Sequence, residues 1–260
     1  HGPFSYSSWD AENLGDWSHL LNEAEAVINL CGRSVDCIKT PSNIDEILRS
    51  RVDSTRLIGE ACSVVKSPPK VWLQMSTAHI YGDSKTKTCT EESHFGLGLA
   101  PEVGKAWEDS FHKNCPTEIR KVVLRTSFVM GRNGGPWPIL KRLTKLGYGD
   151  GKQGMSWIHE EDLFQVFYRG LTNHKMNGAY VVSSPKPCSN MEFMKQIRQS
   201  IRMPVHIPIP SLILKFGAKY ILRTDPDLLL EGRFVKPKRL IKEGFNFKFP
   251  ELKDAILDLN

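Results

Sequence analysis

Apolar residues in this chain are concentrated in short runs that alternate with longer stretches of helical periodicity. The runs cover residues 25–32, 70–77 and 122–130, and each closes on hydroxyl side chains or beside a glycine. Such runs are typical of strands that are buried on both faces. Between them, residues 44–65 place apolar side chains at three- and four-residue steps, which predicts a long helix. A second helix is predicted over residues 101–113.

The alternation of strands and helices predicts an α/β fold, a Rossmann-type doubly wound parallel sheet with helices on both faces. Right-handed crossovers then bring the carboxyl ends of all strands to one edge, where ligands of open α/β sheets bind. Six prolines interrupt the chain beyond residue 190, which predicts a small, mainly helical subdomain. We therefore expect an α/β domain over residues 1–189 and a smaller subdomain over residues 190–260.

Composition narrows the class of protein. Of 260 residues, 40% are hydrophobic and 25% charged, which excludes intrinsic disorder and fibrous repeats. The formal charge of +6 is spread along the chain, so it favours an anionic small molecule over nucleic acid. Six cysteines without any Cys-x-x-Cys spacing predict reduced thiols, no metal site and a cytoplasmic location. No apolar run reaches 18 residues, so no transmembrane helix is expected.

The segment Ser76-Thr77-Ala78-His79-Ile80-Tyr81-Gly82 carries the most information about chemistry. It resembles the Ser/Thr-x-x-x-Tyr-Gly motif of extended short-chain dehydrogenases/reductases. The resemblance implies that Thr77 or Ser76 holds the substrate oxygen at the carbon that exchanges a hydride, with Tyr81 as the acid/base candidate. The alternative is that the two hydroxyls satisfy backbone groups at a strand end while Tyr81 packs.

Other segments resemble further parts of the same superfamily. Asn29-Leu30-Cys31-Gly32 is similar to its Asn-x-Ala-Gly turn. Residues 125–131 are similar to its Leu-Arg-x-x-x-Val-x-Gly strand, and residues 157–162 to its His-x-x-Asp turn. Together the segments resemble a narrower branch, the sugar-nucleotide-epimerase-like proteins sometimes labelled SulA-type cell-division inhibitors. Further matching blocks occur in family order at residues 50–58, 105–108, 134–135, 230–237 and 244–247.

This resemblance implies a nicotinamide dinucleotide cofactor, with NADP favoured and NAD possible. It places the cofactor against Leu30, Cys31 and Gly32, against Met75, and beside Lys105. It also implies that residues 1–189 bind this dinucleotide, that residues 190–260 form the substrate side, and that His159 touches the substrate. Independently of the resemblance, Arg132 is a substrate-side candidate, because it follows a strand end and its guanidinium matches a phosphate. His159 has a second interpretation, as the cap of the helix that follows it. Lys105 has a second interpretation as a solvated helix residue.

Two features depart from the family pattern. The family opens with a βαβ unit whose Gly-rich turn seats the cofactor pyrophosphate, and no such turn is present here. We therefore expect that this first βαβ unit precedes His1 and is absent from the chain. The second departure is the Tyr-x-x-x-Lys pair, since residues 101–108 contain Lys105 but no tyrosine. In that segment Trp107 and Glu108 are interpreted as packing and as a carboxylate on the helix surface.

Two functional hypotheses follow. The first is an NAD(P)-dependent epimerase or oxidoreductase acting by hydride transfer on a small molecule that resembles a nucleotide sugar. The second is a catalytically silent dinucleotide-binding sensor or scaffold, which the missing Tyr-x-x-x-Lys pair favours. Neither involves nucleic acid or a membrane. The helix over residues 44–65 is suited either to covering the sheet or to pairing with a second copy, so monomer and homodimer both remain open.

Overall fold

The computed structural model describes residues 4–134, 137, 140, 141, 144, 151–203 and 231–260. The strands are β1 (Ala26–Asn29), β2 (Val71–Thr77), β3 (Ser84–Cys89), β4 (Arg120–Thr126), β5 (Phe128–Met130), β6 (Gly154–Met155), β7 (Trp157–His159), β8 (Gly178–Val182), β9 (Cys188–Ser189) and β10 (Arg233–Val235). The α-helices are α1 (Pro41–Val64), α2 (Leu99–Asn114), α3 (Glu160–Thr172), α4 (Asn190–Ser200), α5 (Lys238–Lys242) and α6 (Leu252–Asp258). Short 3-10 helices cover Asp16–Leu21 and Ala78–Tyr81.

The central sheet has the strand order β1-β2-β4-β8, and every neighbouring pair is parallel. Thr77 is in register with Thr126, which in turn is in register with Val182. The carboxyl ends of the strands therefore meet at one edge, as the sequence predicted. The Rossmann-type α/β class is confirmed.

Each face of the sheet carries its own apolar core because successive strand residues point to opposite faces. On one face, Trp72 and Val123 pack with residues of α1 and α2. On the other face, Leu73 and Leu124 pack with α3 and α5. The helices thus flank the sheet on both sides, and the loops at its carboxyl edge lie between the two layers.

The predicted strand at residues 122–130 is divided in the structure. β4 ends at Thr126, and Ser127 uses its backbone N–H and its hydroxyl to donate to the carbonyl oxygen of Val182, each at 3.0 Å. The chain then leaves the central sheet, and β5 pairs in parallel with β7. The prediction of one continuous strand was wrong because Ser127 anchors the chain to β8 just before it changes partner.

Both predicted helices exist and begin earlier than the apolar pattern indicates. The hydroxyl of Thr40 accepts a hydrogen bond from the Asn43 backbone N–H, and Pro41 occupies the first turn of α1. A threonine cap followed by proline is a favourable start for a helix because it satisfies a free N–H and presets the backbone. α2 likewise covers residues 99–114 in place of the predicted 101–113.

A third core joins the later part of the chain to earlier segments. Met130 and Trp157 pack there against residues of α4 and α6. β10 also pairs in parallel with β3. The boundary at residue 190 stays a prediction, and the prolines used to infer a separate subdomain fall partly outside the described residues, at positions 204, 208, 210 and 226.

The contact between α1 and α2 depends on a glycine. A Cβ atom at Gly59 would lie 2.4 Å from the backbone oxygen of Asn114, which is closer than real atoms approach. The two helices therefore pack at a separation that only glycine permits, and this packing places α2 against the carboxyl end of β2.

We expect Gly59→Ala to lower the free energy of unfolding by about 1–3 kcal/mol, because the helices must separate to admit the methyl group. This loss should exceed the helix propensity that alanine gains. Gly134→Ala is the matched control, since a Cβ there meets nothing within 4 Å. Urea unfolding followed by circular dichroism measures both, and equal stability of the two variants would contradict the packing argument.

Candidate active site

The loop after β1 is held by a buried polar network at the carboxyl edge of the sheet. The side-chain amide of Asn29 donates to Thr55 at 3.1 Å and to Gln74 at 3.0 Å, and its oxygen accepts from the Cys31 backbone N–H at 3.0 Å. The indole N–H of Trp107 also donates to Thr55, at 3.1 Å. One network therefore links β1, β2, α1 and α2 and fixes the direction of residues 30–32.

The three residues predicted to contact the cofactor here differ in exposure. Leu30 is exposed, while the Cys31 thiol is half-buried, and its burial raises its pKa. Gly32 lies against the guanidinium of Arg51, since a Cβ at Gly32 would be 3.0 Å from its Cζ. The structure thus brings Leu30, Cys31 and Gly32 to the predicted edge, and their contact with a cofactor stays a prediction.

Behind the strand ends lies a buried ion pair that the sequence interpretation missed. Arg125 donates to both carboxylate oxygens of Glu108, from Nε at 2.9 Å and from Nη2 at 2.7 Å. The hydroxyl of Ser76 donates to the same carboxylate at 2.6 Å. All three side chains are buried. The interpretation of Glu108 as a surface carboxylate was wrong.

The electrostatics of this pair favour the charged form of Arg125. Burial alone would lower the pKa of Arg125, but the hydrogen bonds and charge of Glu108 raise it above its ordinary value. An arginine within the apolar run of β4 was the signal in the sequence, because a buried guanidinium requires a buried counter-charge.

Tyr81 is drawn into the same cluster. Its phenolic oxygen accepts a hydrogen bond from Arg125 Nη1 at 3.0 Å, and its side chain is 4% exposed. Burial raises the pKa of Tyr81 to about 12, although the charge and hydrogen bond of Arg125 act in the opposite direction. The phenol therefore keeps its proton at neutral pH, which suits a hydrogen-bond or proton donor better than a base.

Thr77 is the more accessible of the two strand-end hydroxyls. Its Oγ1 accepts from the His79 backbone N–H at 3.1 Å and so caps the turn Ala78–Tyr81. Within the described chain, its own hydroxyl proton has no acceptor. Gly104 of α2 lies close by, since a Cβ there would be 3.3 Å from Thr77 Cγ2. The glycine lets α2 approach the turn and leaves the Thr77 hydroxyl at the edge.

Met75 and Lys105 lie near this position but have different environments. Met75 is half-buried, and its sulfur accepts a hydrogen bond from the Thr126 hydroxyl at 3.0 Å. Lys105 is exposed on α2 and has no ion-pair partner among the side chains that the structure describes. Both assignments to the cofactor stay predictions.

The two predicted substrate-side residues meet at a carboxylate that sequence reasoning did not single out. Asp258 lies 3.1 Å from Arg132 Nη2 and 3.3 Å from His159 Nε2. His159 is buried, caps α3 by accepting from the Glu161 N–H at 3.2 Å, and lies against the Phe249 ring. These contacts agree with the interpretation of His159 as a helix cap. Any role of Arg132 or His159 toward a substrate stays a prediction.

His79 adds a neutral imidazole beside Thr77. Burial, together with the charges of Arg233 and Lys39, lowers the pKa of His79 to about 3. Arg233 is itself anchored to this turn, because its Nε donates to the carbonyl oxygen of Gly82 at 2.9 Å. Two cations, Arg233 and Lys39, thus act on this imidazole, while the carboxylates of Asp83 and Glu231 act on Arg233 itself. Among the residues that the structure describes, no cluster of His, Cys, Asp and Glu is arranged to hold a metal ion.

Comparison with known proteins identifies the family. The chain is 30% identical over 259 residues to the mouse epimerase family protein SDR39U1, covering 94% of this chain and 86% of that protein. The chain belongs to the SDR39U1 epimerase family. Residues 209–259 also match a domain of unknown function, DUF1731. The resemblance inferred from the ordered sequence blocks is confirmed.

Two solved structures share the fold of this SDR39U1-family chain. Human SDR39U1 (isoform 2), crystallised with NADPH, has a TM-score of 0.84 at 27% identity and covers 92% of this chain and 82% of its own. A nucleoside-diphosphate sugar epimerase from Corynebacterium glutamicum has a TM-score of 0.77 at 25% identity, covering 96% of this chain and 48% of its own. In the part of the chain that the structure describes, none of the helices combines the length and the apolar composition that a membrane span requires.

We expect Glu108→Gln to lower the free energy of unfolding by about 3–5 kcal/mol, because it leaves Arg125 buried without a counter-charge. Glu92→Gln is the matched control, since Glu92 pairs with Lys238 at the exposed surface and its loss should change the free energy of unfolding little. The double variant Glu108→Leu/Arg125→Met should recover most of the loss. Urea unfolding measures all three variants. Equal losses of unfolding free energy for Glu108→Gln and Glu92→Gln would contradict the argument that Glu108 balances a buried charge.

We expect the imidazole of His79 to make the protein less stable in acid. The unfolded chain binds this proton near pH 6.5, whereas the folded chain resists it until about pH 3. The stability that the neutral His79 imidazole gives to the folded state is therefore complete above pH 6.5 and declines as the pH falls toward 3. His79→Gln should flatten the dependence of unfolding free energy on pH in that window, relative to His174→Gln at the surface. Parallel curves for the two variants would rule the effect out.

Proposed function

We propose that the protein binds NADP(H) at the carboxyl edge of the sheet and transfers a hydride to or from a small molecule that resembles a nucleotide sugar. The observation that carries the proposal is the placement of the Thr77 hydroxyl, with a proton free to donate, at the end of a central parallel strand. The NADPH in human SDR39U1 and the nucleoside-diphosphate sugar epimerase named among the neighbours support the choice of cofactor and substrate class.

The residues at the edge fit a dinucleotide. Gly32 has no Cβ, which lets the Arg51 guanidinium lie against its backbone, and the Asn29 network holds the loop in one direction. Exposed Leu30 offers an apolar surface for a ring, and Lys105 offers a positive charge on α2. The bound nicotinamide would supply the hydride chemistry, which none of these side chains can provide.

In this proposal the chain's own residues position the substrate and move its proton. Thr77 donates a hydrogen bond to the substrate oxygen at the carbon that changes oxidation state. Tyr81 retains its proton at neutral pH and is the candidate donor, oriented by Arg125. Ser76 is committed to Glu108, so it supports the strand end and leaves Thr77 as the hydroxyl that meets the substrate.

A second candidate function is dinucleotide binding without turnover. The enclosure of Ser76 and Tyr81 by the Glu108–Arg125 pair favours it, because two of the three predicted catalytic groups are engaged in structural bonds. The two candidates share the cofactor site and differ only in whether Thr77 affects a reaction. A cytoplasmic location and a monomer or homodimer remain predictions for both.

We expect NADPH to bind the full-length protein and to receive excitation energy from its tryptophans, of which Trp107 lies next to the proposed site. Thr77→Val should leave the dissociation constant within about 3-fold and lower turnover of a nucleotide-sugar substrate by about 100-fold, the scale of one lost transition-state hydrogen bond. Thr117→Val, in the exposed turn before β4, is the control. Titration by energy transfer measures binding. NADPH absorbance measures net reduction of a nucleotide sugar, and chromatography of the sugar product measures epimerisation, which regenerates the cofactor.

Three outcomes separate the candidates. Binding with turnover that depends on Thr77 supports the enzyme. Binding without turnover of any nucleotide sugar supports the silent candidate and rejects the enzyme. If neither NADPH nor NADH binds, both candidates fail.

A further inference from the structure

Arg51 of α1 holds its guanidinium at the carboxyl edge of the sheet, between α1, the loop after β1 and α2. A Cβ at Gly32 would lie 3.0 Å from its Cζ, 3.1 Å from Nη2 and 3.3 Å from Nε. Because Cζ is the nearest atom, the glycine lies over the face of the guanidinium and not against its nitrogen edge. The centroid of the Trp107 ring is 5.0 Å from the same Cζ, within the range of a cation–π contact.

The charge of Arg51 is not balanced by any carboxylate within 4 Å in the described part of the chain. Its neighbours on and near α1 differ in this respect, because Arg33 pairs with Glu46 at 3.2 Å and Arg49 with Asp53 at 3.3 Å. Among the described residues, the Arg51 side chain donates from Nη1 to the Ile47 carbonyl oxygen at 2.9 Å and to no other acceptor. Within the same residues, no acceptor lies on the Nε–Nη2 edge, which is the edge that binds an oxyanion with two parallel hydrogen bonds.

Burial makes this arrangement costly unless an anion completes it. Arg51 is half-buried, and desolvation lowers the pKa of its guanidinium. A cation that is partly removed from water and has no counter-charge is destabilising by itself. An anionic group on the Nε–Nη2 edge would remove that cost, so the site is matched to a ligand that carries negative charge.

The surroundings hold the guanidinium in place before any ligand arrives. The Trp107 indole that it faces is buried and bonded to Thr55, and Thr55 is bonded to Asn29 at the end of β1. The network that directs the loop after β1 therefore also fixes the aromatic surface beneath Arg51. A planar fork of donors that is already oriented loses little conformational freedom when it binds.

We propose that Arg51 binds a phosphate group of the dinucleotide, with Nε and Nη2 donating to two of the phosphate oxygens. Gly32, which has no Cβ, leaves room for the guanidinium to lie in this position. The proposal rests on the proposed function, since it assigns a phosphate contact within the same cofactor site. The pyrophosphate and the 2′-phosphate of NADP(H) present the same chemistry to a guanidinium. A comparison of NADPH with NADH separates these two sources.

The experiment measures dissociation constants of NADPH and NADH for the wild-type protein, Arg51→Gln, Arg51→Lys and Arg56→Gln, at low and high salt. Arg56 pairs with Glu60 on the same helix and serves as the matched control. We expect Arg51→Gln to weaken NADPH binding about 10-fold or more and to reduce its salt dependence. Arg51→Lys should recover only part of the affinity, because lysine keeps the charge without the fork. Loss for NADPH alone assigns the 2′-phosphate, and equal loss for both cofactors assigns the pyrophosphate.

Thermal unfolding of the free variants distinguishes a ligand contact from a structural one. If Arg51 serves the ligand, Arg51→Gln should unfold at the wild-type temperature or above it, because the change removes an unbalanced half-buried charge. A lower unfolding temperature together with unchanged affinity would overturn the proposal and assign Arg51 to packing on Trp107. If Arg51→Gln does not fold, the affinity of Arg51→Lys for NADPH decides. An affinity equal to that of the wild-type protein would reject the proposed two-bond contact between the guanidinium and the phosphate. If the wild-type protein binds neither cofactor, the proposed function fails first.

Discussion

The buried pair of Glu108 and Arg125 is the constraint on which the geometry of the candidate site depends. Two opposite charges removed from water hold each other in a fixed two-bond geometry, and here they tie α2 to the central strand β4. Ser76 completes the cluster by donating a hydrogen bond to the carboxylate, and Tyr81 completes it by accepting one from the guanidinium. The backbone around Thr77 is thereby positioned from both sides. A site built on a charged pair of this kind tolerates little movement, because any displacement exposes an unbalanced charge to an apolar core.

The fold was largely predictable from the sequence because the apolar runs and the helical periodicity report burial directly. The two-sided burial of β2 and β4 follows from the concentration of apolar residues in each strand, and the long α1 follows from three- and four-residue spacing. The division between β4 and β5 was not predictable from that pattern. Residues 122–130 are equally apolar on either side of Ser127, and only the partner strands differ. Strand pairing is a long-range property that a local pattern does not encode.

The candidate site was predictable in position but not in its internal bonding. The strand-end hydroxyls and the loop at Gly32 were located correctly at the edge of the sheet, since parallel strands leave no other place for them. The partners of Ser76, Arg132 and His159 were not found, because Glu108 and Asp258 are distant in sequence and follow no motif. An arginine inside an apolar strand implies a buried acid without saying where in the chain that acid lies.

The pairing of β3 with β10 has a consequence for the order in which the molecule assembles. Gly232 donates to Asp83, and Arg233 donates to Gly82, so the turn that follows Thr77 is bound by a segment about 150 residues later in the chain. Contacts at such a separation carry a large loop-closure entropy and form late relative to local ones. The central sheet, whose neighbouring strands are much closer in sequence, can gain its core before this contact exists. The contact between this turn and β10 therefore closes onto a central sheet whose core is already in place.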